Sequence, residues 1–214
     1  MVELLVGVAI ALFIVASGTS LLAGNLRENR SLLLEARLMQ DLRTAADVIT
    51  RDLRRAGAWA GATDGVWSAG SSSVRSNPYA ALAPDSAASN AVSYRYSRDA
   101  TENNVVDSNE QFGFRLRAGV IEMQLGAGNW QALTDAGTLS VTEFSVTPEV
   151  QEVSLESLCA NACPASSSTC PPHQQVRSIA LVISAQLAND VRVVRSLHSQ
   201  VRVRNDPVIG ACAA

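Results

Sequence analysis

The sequence predicts an α+β fold, a long N-terminal helix packed on an antiparallel β-sheet domain, from three observations. Residues 4–24 form an uncharged apolar run that passes, with no turn signal, into a charged helix-forming stretch. In that stretch apolar residues recur at spacings of three and four, which places them on one helical stripe. From Ala91 onward the apolar period becomes two, the pattern of strands with one wet face.

Residues 1–57 read as the helix, with residues 4–24 greasy enough for a bilayer and residues 25–57 amphipathic. At 1.5 Å per residue, a helix from Glu3 to Ala56 is roughly 80 Å long. A cleaved signal peptide would carry a basic n-region and a shorter apolar core. Here the first charge is the acidic Glu3 and no basic residue precedes Arg27, so the run is expected to be retained. A carboxylate at the start of a membrane segment costs several kcal/mol unless paired. Glu3 therefore needs a partner, or else it sits in the headgroup layer of a plain signal anchor. Gly7, Ala11, Ala16, Gly18 and Ala23 leave small patches where another helix can approach.

Met39, Leu42, Ala46, Ile49, Leu53 and Ala56 form the stripe of the second half. A coiled-coil partner and the chain's own sheet both suit such a stripe; its shortness and the β-rich sequence that follows favour the sheet. Opposite charges at Arg37 and Asp41, and at Asp47 and Arg51, support the helix by a few tenths of a kcal/mol each. Gly57 and Gly61 end it. Residues 61–90, rich in Ala, Ser, Gly and Pro, read as a long irregular connection packed through Trp67 and Tyr79, or with a short strand near Val74.

The β-rich domain occupies residues 58–214. Strands are predicted around Val92, Tyr94 and Tyr96; Phe112, Phe114 and Leu116; Ile121, Met123 and Leu125; Val141, Phe144 and Val146; and Val153 and Leu155. Turns at residues 117–119 and 126–129 separate them, the second leading into Trp130 and Leu133. Two longer strands follow, one through Val176 to Ile183 and one through Val191 to Val203. Short connections without a crossover helix make one antiparallel meander the economical arrangement. Trp59, Trp67, Trp130, Tyr94, Tyr96, Phe112 and Phe114 read as core.

A net charge of -3, with all 17 basic residues arginine, gives no polyanion-binding surface, so no nucleic acid partner is expected. Cys159, Cys163, Cys170 and Cys212 are disulfide candidates if the domain is extracytoplasmic; three pairings are open. A zinc set of Cys159, Cys163, Cys170 and His173 lacks a CxxC knuckle, and no metal is expected. Asp99, Glu102, Asp107 and Glu110 do not match a calcium loop and read as a solvated linker. No GxSxG, GxGxxG or GxxxxGK motif occurs, so neither catalysis nor a cofactor is expected.

Met1-Val2-Glu3-Leu4-Leu5-Val6-Gly7 resembles the start of a type IV pilin or type II secretion pseudopilin. The segment Arg51-Asp52-Leu53-Arg54-Arg55-Ala56-Gly57-Ala58-Trp59 resembles PilW-type minor pilins, and Val201-Arg202-Val203-Arg204-Asn205-Asp206-Pro207 resembles that family's ending. The resemblance implies a type IV pilin-like fold with residues 4–24 in the filament core and a periplasmic domain beyond. It also implies a leader ending in glycine, cut by a prepilin peptidase that methylates the new N-terminus, with Met1 matching the third mature residue. Glu3, Leu4, Leu5 and Gly7 become assembly residues, Glu3 pairing with a neighbour's N-terminal amine. Implied partners are other minor pilins, the major pilin, inner membrane lipid before assembly, and prepilin peptidase acting on the full-length precursor. The implied role is priming or capping a type IV pilus. Alternatives are a J-type pseudopilin of a secretion system, and an adhesion or DNA-uptake module acting through residues 159–170 or 61–90. A membrane-anchored periplasmic enzyme is a further alternative, against which the missing catalytic motifs count.

Overall fold

A computed structural model describes residues 2–65 and 75–213. One helix, α1 (Val2–Leu53), is followed by two antiparallel sheets. The first sheet contains β1 (Leu82–Ala83), β2 (Ala91–Arg95), β3 (Gln111–Arg117), β4 (Val120–Leu125) and β5 (Trp130–Ala132), in that spatial order. The second contains β6 (Leu139–Ser154), β7 (His173–Leu187) and β8 (Asp190–Arg202), with β9 (Val208–Ile209) pairing the start of β7. The fold is thus the α+β, pilin-like arrangement of one long helix and antiparallel sheet. The strand at Leu82 was not predicted, and Trp67 and Val74 lie outside the described residues.

The predicted single meander is two sheets, and the break falls between β5 and β6. Asp135 turns the chain there: its carboxylate accepts the Gly137 N–H at 2.8 Å and its carbonyl accepts the N–H groups of Thr138 and Leu139, both at 3.1 Å. β6 then leaves the first sheet and pairs with β7 over its whole length. The two strands predicted within residues 139–158 are one, with a register shift between Val141 and Glu143. Pro148 does not interrupt it, because an edge strand tolerates a missing N–H. Leu155 falls past its end, before a single 3₁₀ turn at Glu156–Leu158.

Local chemistry sets the β3–β4 hairpin. Ala118 and Gly119 both have positive φ, 50° and 78°, as a two-residue turn matching strand twist requires. In β3, a side chain at Gly113 would lie 2.6 Å from the Val92 carbonyl oxygen, so only glycine lets β2 approach. Phe112 stacks on Tyr96 with ring centroids 4.0 Å apart. Trp130 is half-buried and lies 3.9 Å beneath the Arg115 guanidinium, outside the core predicted for it.

The core lies between the sheets and the C-terminal half of α1. Leu38, Leu42, Ala46, Ile49, Leu53 and Ala56 pack there with Tyr94, Phe114, Phe144, Ile179 and Val201. Met39, which begins the predicted stripe, is only half-buried; Leu38 holds the core position one residue earlier. The helix ends at Leu53, short of the predicted Ala56. Its carbonyls tighten to i,i−3 bonds (Arg55 N–H to Asp52 O, 3.0 Å; Ala56 N–H to Leu53 O, 3.1 Å). Gly57, at φ 75°, then turns the chain so that its N–H donates to Arg95 O at 2.8 Å.

Leu42→Ala or Ile49→Ala is expected to lower stability by about 2–5 kcal/mol in denaturant unfolding of the full chain in detergent, as buried aliphatic truncations do. Leu33→Ala, at a position 72% exposed, should leave the midpoint unchanged.

Candidate functional site

Every described side chain of residues 2–33 is exposed, Leu4 at 74% and Phe13 at 76%. This is the one helix among the described residues that is long and apolar enough to cross a membrane, with a mean hydropathy of 2.3 in its most apolar window. Surface this apolar and continuous implies a covering of lipid or other protein. Glu3, Leu4, Leu5 and Gly7 all lie in its first turns, and nothing stands within 4 Å of where a Gly7 side chain would begin. Glu3 forms no ion pair among the described residues.

At the other end, the two segments that carry the family resemblance meet. Helix ends leave carbonyls without partners, and here the 201–207 segment supplies donors. The Arg204 N–H donates to Arg54 O at 3.3 Å, and Asn205 Nδ2 donates to Ala56 O at 3.0 Å. Beneath them lies Arg177, 7% exposed, donating from Nη1 to Ala80 O at 2.7 Å and from Nη2 to Asn205 O at 3.1 Å. Burial lowers its pKa, opposed by the nearby Asp206. Asp206 itself accepts from Gln174 and Arg202 at 3.1 and 2.7 Å. The Tyr94 hydroxyl donates to Asp52 on the helix, and burial together with that carboxylate raises the Tyr94 pKa well above its ordinary value. Arg55 lies 4.1 Å over the Tyr96 ring. Sequence reasoning missed Arg177 and Asn205 as contacts. Arg177 had a signal, since it shares the inward phase of Ile179 and Leu181; Asn205 had none beyond the resemblance.

Residues 97–110 are ordered by their acids and do not form the solvated linker expected. Glu102 accepts the Asn104 N–H at 2.8 Å and the Ala60 N–H at 3.3 Å, and its Oε1 lies 3.0 Å from the fully buried Tyr79 hydroxyl. Trp59 Nε1 donates to Asn104 at 2.9 Å. Glu110, 0% exposed, takes the N–H groups of Arg98 and Asp107 at 2.7 and 2.9 Å. Its oxygens converge with those of Asp99 and Asp107 within 4.8 Å. All three carboxylates already accept hydrogen bonds within the loop, which accounts for the convergence.

The cysteines form Cys159–Cys212 and Cys163–Cys170, with Cα separations of 5.3 and 5.5 Å. The zinc set weighed from the sequence is thereby not formed, and His173 instead opens β7, opposite Ser154. The larger bridge spans 53 residues and ties the C-terminal segment to the arm in which β6 and β7 extend past the end of β8.

A helix seated on antiparallel sheet over one half and free and apolar over the other defines a pilin-like protein. A family model described as prepilin peptidase-dependent protein B (PpdB) matches residues 31–203, and the chain belongs to that family, a pilus-related minor component. No curated protein and no solved structure matches the chain. The matched span begins beyond the apolar run. It takes in the helix stripe, the Arg51 to Trp59 segment and the arm, and closes at Val203 where the helix end is held.

Arg177→Met is expected to cost about 1.5–3 kcal/mol, because it leaves the carbonyls of Ala80 and Asn205 without their donor, and Asn205→Ala about 1 kcal/mol, in denaturant unfolding. Glu102 yields a pH dependence. Burial raises its pKa, but the hydrogen bonds from Asn104, Ser97, Tyr79 and Ala60 outweigh it and hold the pKa below 4.5. Its stabilisation is then fully present above pH 4.5 and lost as pH falls through the lowered folded value. Hydrogen exchange of residues 97–110 should quicken relative to the core as pH drops through that window, once corrected for intrinsic rates. Glu102→Gln should abolish the acid-dependent part.

Proposed function

We propose that the chain is a non-enzymatic minor pilin of the PilW kind that primes or caps a type IV pilus. The observation that carries the reading is the free part of α1, residues 2–33, which makes no core with its own domain and whose apolar run, residues 4–24, needs lipid or other helices around it. Membership of a family described as prepilin peptidase-dependent supports the same route. In this reading the full-length precursor is cut and methylated by prepilin peptidase. The helix spans the inner membrane once, with the domain in the periplasm, before it joins other minor pilins and the major pilin in a filament that leaves the cell.

Assembly uses the first turns of α1. The Glu3 carboxylate, leaving the bilayer interface, pairs with the N-terminal amine of a neighbouring subunit in a desolvated setting. Leu4, Leu5 and the open surface at Gly7 supply close apolar packing. The seat on the sheets and the hold at residues 54–57 keep the domain at a fixed angle to that stalk, so that its outer surfaces face the filament exterior or tip.

Glu3→Ala should leave the unfolding transition unaltered and reduce the chain recovered in sheared filaments by about tenfold or more, equivalent to a loss of 1.4 kcal/mol or more. Incorporation at the wild-type level would contradict the proposed pairing.

A further inference from the structure

Between α1 and the β7–β8 turn lies a cleft of about 560 Å³, and its position relative to the apolar run gives it a role. The Arg204 N–H bonds Arg54 O, which sets helix and strand side by side at one level. From there α1 runs back 30 residues (54 − 24) to Gly24, roughly 45 Å at 1.5 Å per residue. β8 and its extension run back 14 residues (204 − 190) to Asp190, roughly 46 Å at 3.3 Å per residue and less by the inclination of strand to helix. The β7–β8 turn therefore comes down close to the end of the apolar run, and Asn189 and Asp190 line the cleft together with Arg30 and Ser31. Arg30 lies about 9 Å beyond Gly24 along the helix. The headgroup layer is about 5–8 Å thick on each side of the hydrocarbon, and long side chains on a helix lean toward its N-terminus, here toward the membrane.

The floor of the cleft is apolar, formed by Leu34, Leu187 and Val193, and its charges are Arg30, Arg37, Arg192, Asp41 and Asp190. Asp190 and Arg192 neutralise each other, with Nε and Nη2 at 3.0 and 3.1 Å from the carboxylate. Arg30 and Arg37 form no ion pair among the described residues, which leaves Asp41 alone against them. We propose that in the unassembled protein the membrane-side rim of this cleft holds the headgroup phosphate of an anionic phospholipid, with Arg30 as the contact; Arg37, about 20 Å beyond Gly24 along the helix, lies past the headgroup layer. The proposal rests on the reading of residues 4–24 as membrane-spanning. A headgroup held there restricts the tilt and rotation of helix and domain together relative to the bilayer surface.

The test is native mass spectrometry of the full chain released from nanodiscs of phosphatidylcholine mixed with phosphatidylglycerol. The wild type should retain phosphatidylglycerol in excess of its share of the bilayer. Arg30→Gln should lower that excess by at least about fivefold, since one arginine near an anionic surface contributes about 1 kcal/mol. Arg30→Lys should keep it. Retention by the wild type in proportion to bilayer composition, or an unchanged excess in the glutamine variant, overturns the lipid site while leaving the membrane reading intact. A chain that does not stay with the discs at all overturns both.

Discussion

Burial of Leu38, Leu42, Ile49 and Leu53 against the two sheets is the interaction on which the rest of the molecule depends. Each is 0% exposed, and each contributes about 1.5–3 kcal/mol of apolar transfer at a place where both sheets contribute side chains. Direct pairing between the sheets is slight: the bridge from Ser89 to Val146 joins them, with the Val141 N–H bonded to Gly119 O. The helix is thus the wedge that makes one core out of two layers. Its N-terminal half continues beyond that core, so whatever happens at its apolar end is mechanically referred to the domain through this seat.

The helix end adds direction to that seat. Apolar packing tolerates some rotation and sliding, whereas hydrogen bonds to specific carbonyls do not. Asn205, Arg204 and the buried Arg177 fix residues 54–57 against the second sheet, while Tyr94 and Tyr96 engage Asp52 and Arg55 from the first. A buried arginine is a costly device for stability alone. Its value here is a single position of helix relative to sheet, consistent with a subunit whose neighbours meet both its stalk and its domain.

Much of this was legible in the sequence because it is periodic. The apolar run, the stripe at Leu42, Ala46, Ile49 and Leu53, and the alternation at Val92 to Tyr96 each report a face that must be covered. The division into two sheets was not legible, because alternation at Phe144 and at Phe114 is identical whichever sheet a strand joins. Met39 for Leu38 is an error of one residue in helical phase, within a stretch where leucines at 32, 33, 34 and 38 offer competing stripes. The acids of residues 97–110 looked solvated because two of the N–H groups that gather them, from Ala60 and Arg98, lie 42 and 12 residues from their carboxylates and become neighbours only after folding. Arg177 illustrates the reverse: a charge in the inward phase of a strand was a visible anomaly, and the partners that explain it, Ala80 and Asn205, lie 97 and 28 residues away.

Seat and hold together describe a domain carried on a long helix whose apolar run is left free, and the proposed pilin route makes a chemical demand at the N-terminus. Mass spectrometry of the native protein's N-terminal peptide, taken from membranes of the source cell with its upstream DNA intact, reads that demand directly. A methylated amine two residues before Met1 is the result expected of prepilin processing. An unprocessed, unmethylated start at Met1 would contradict it, leaving an ordinary membrane-anchored domain with the same fold.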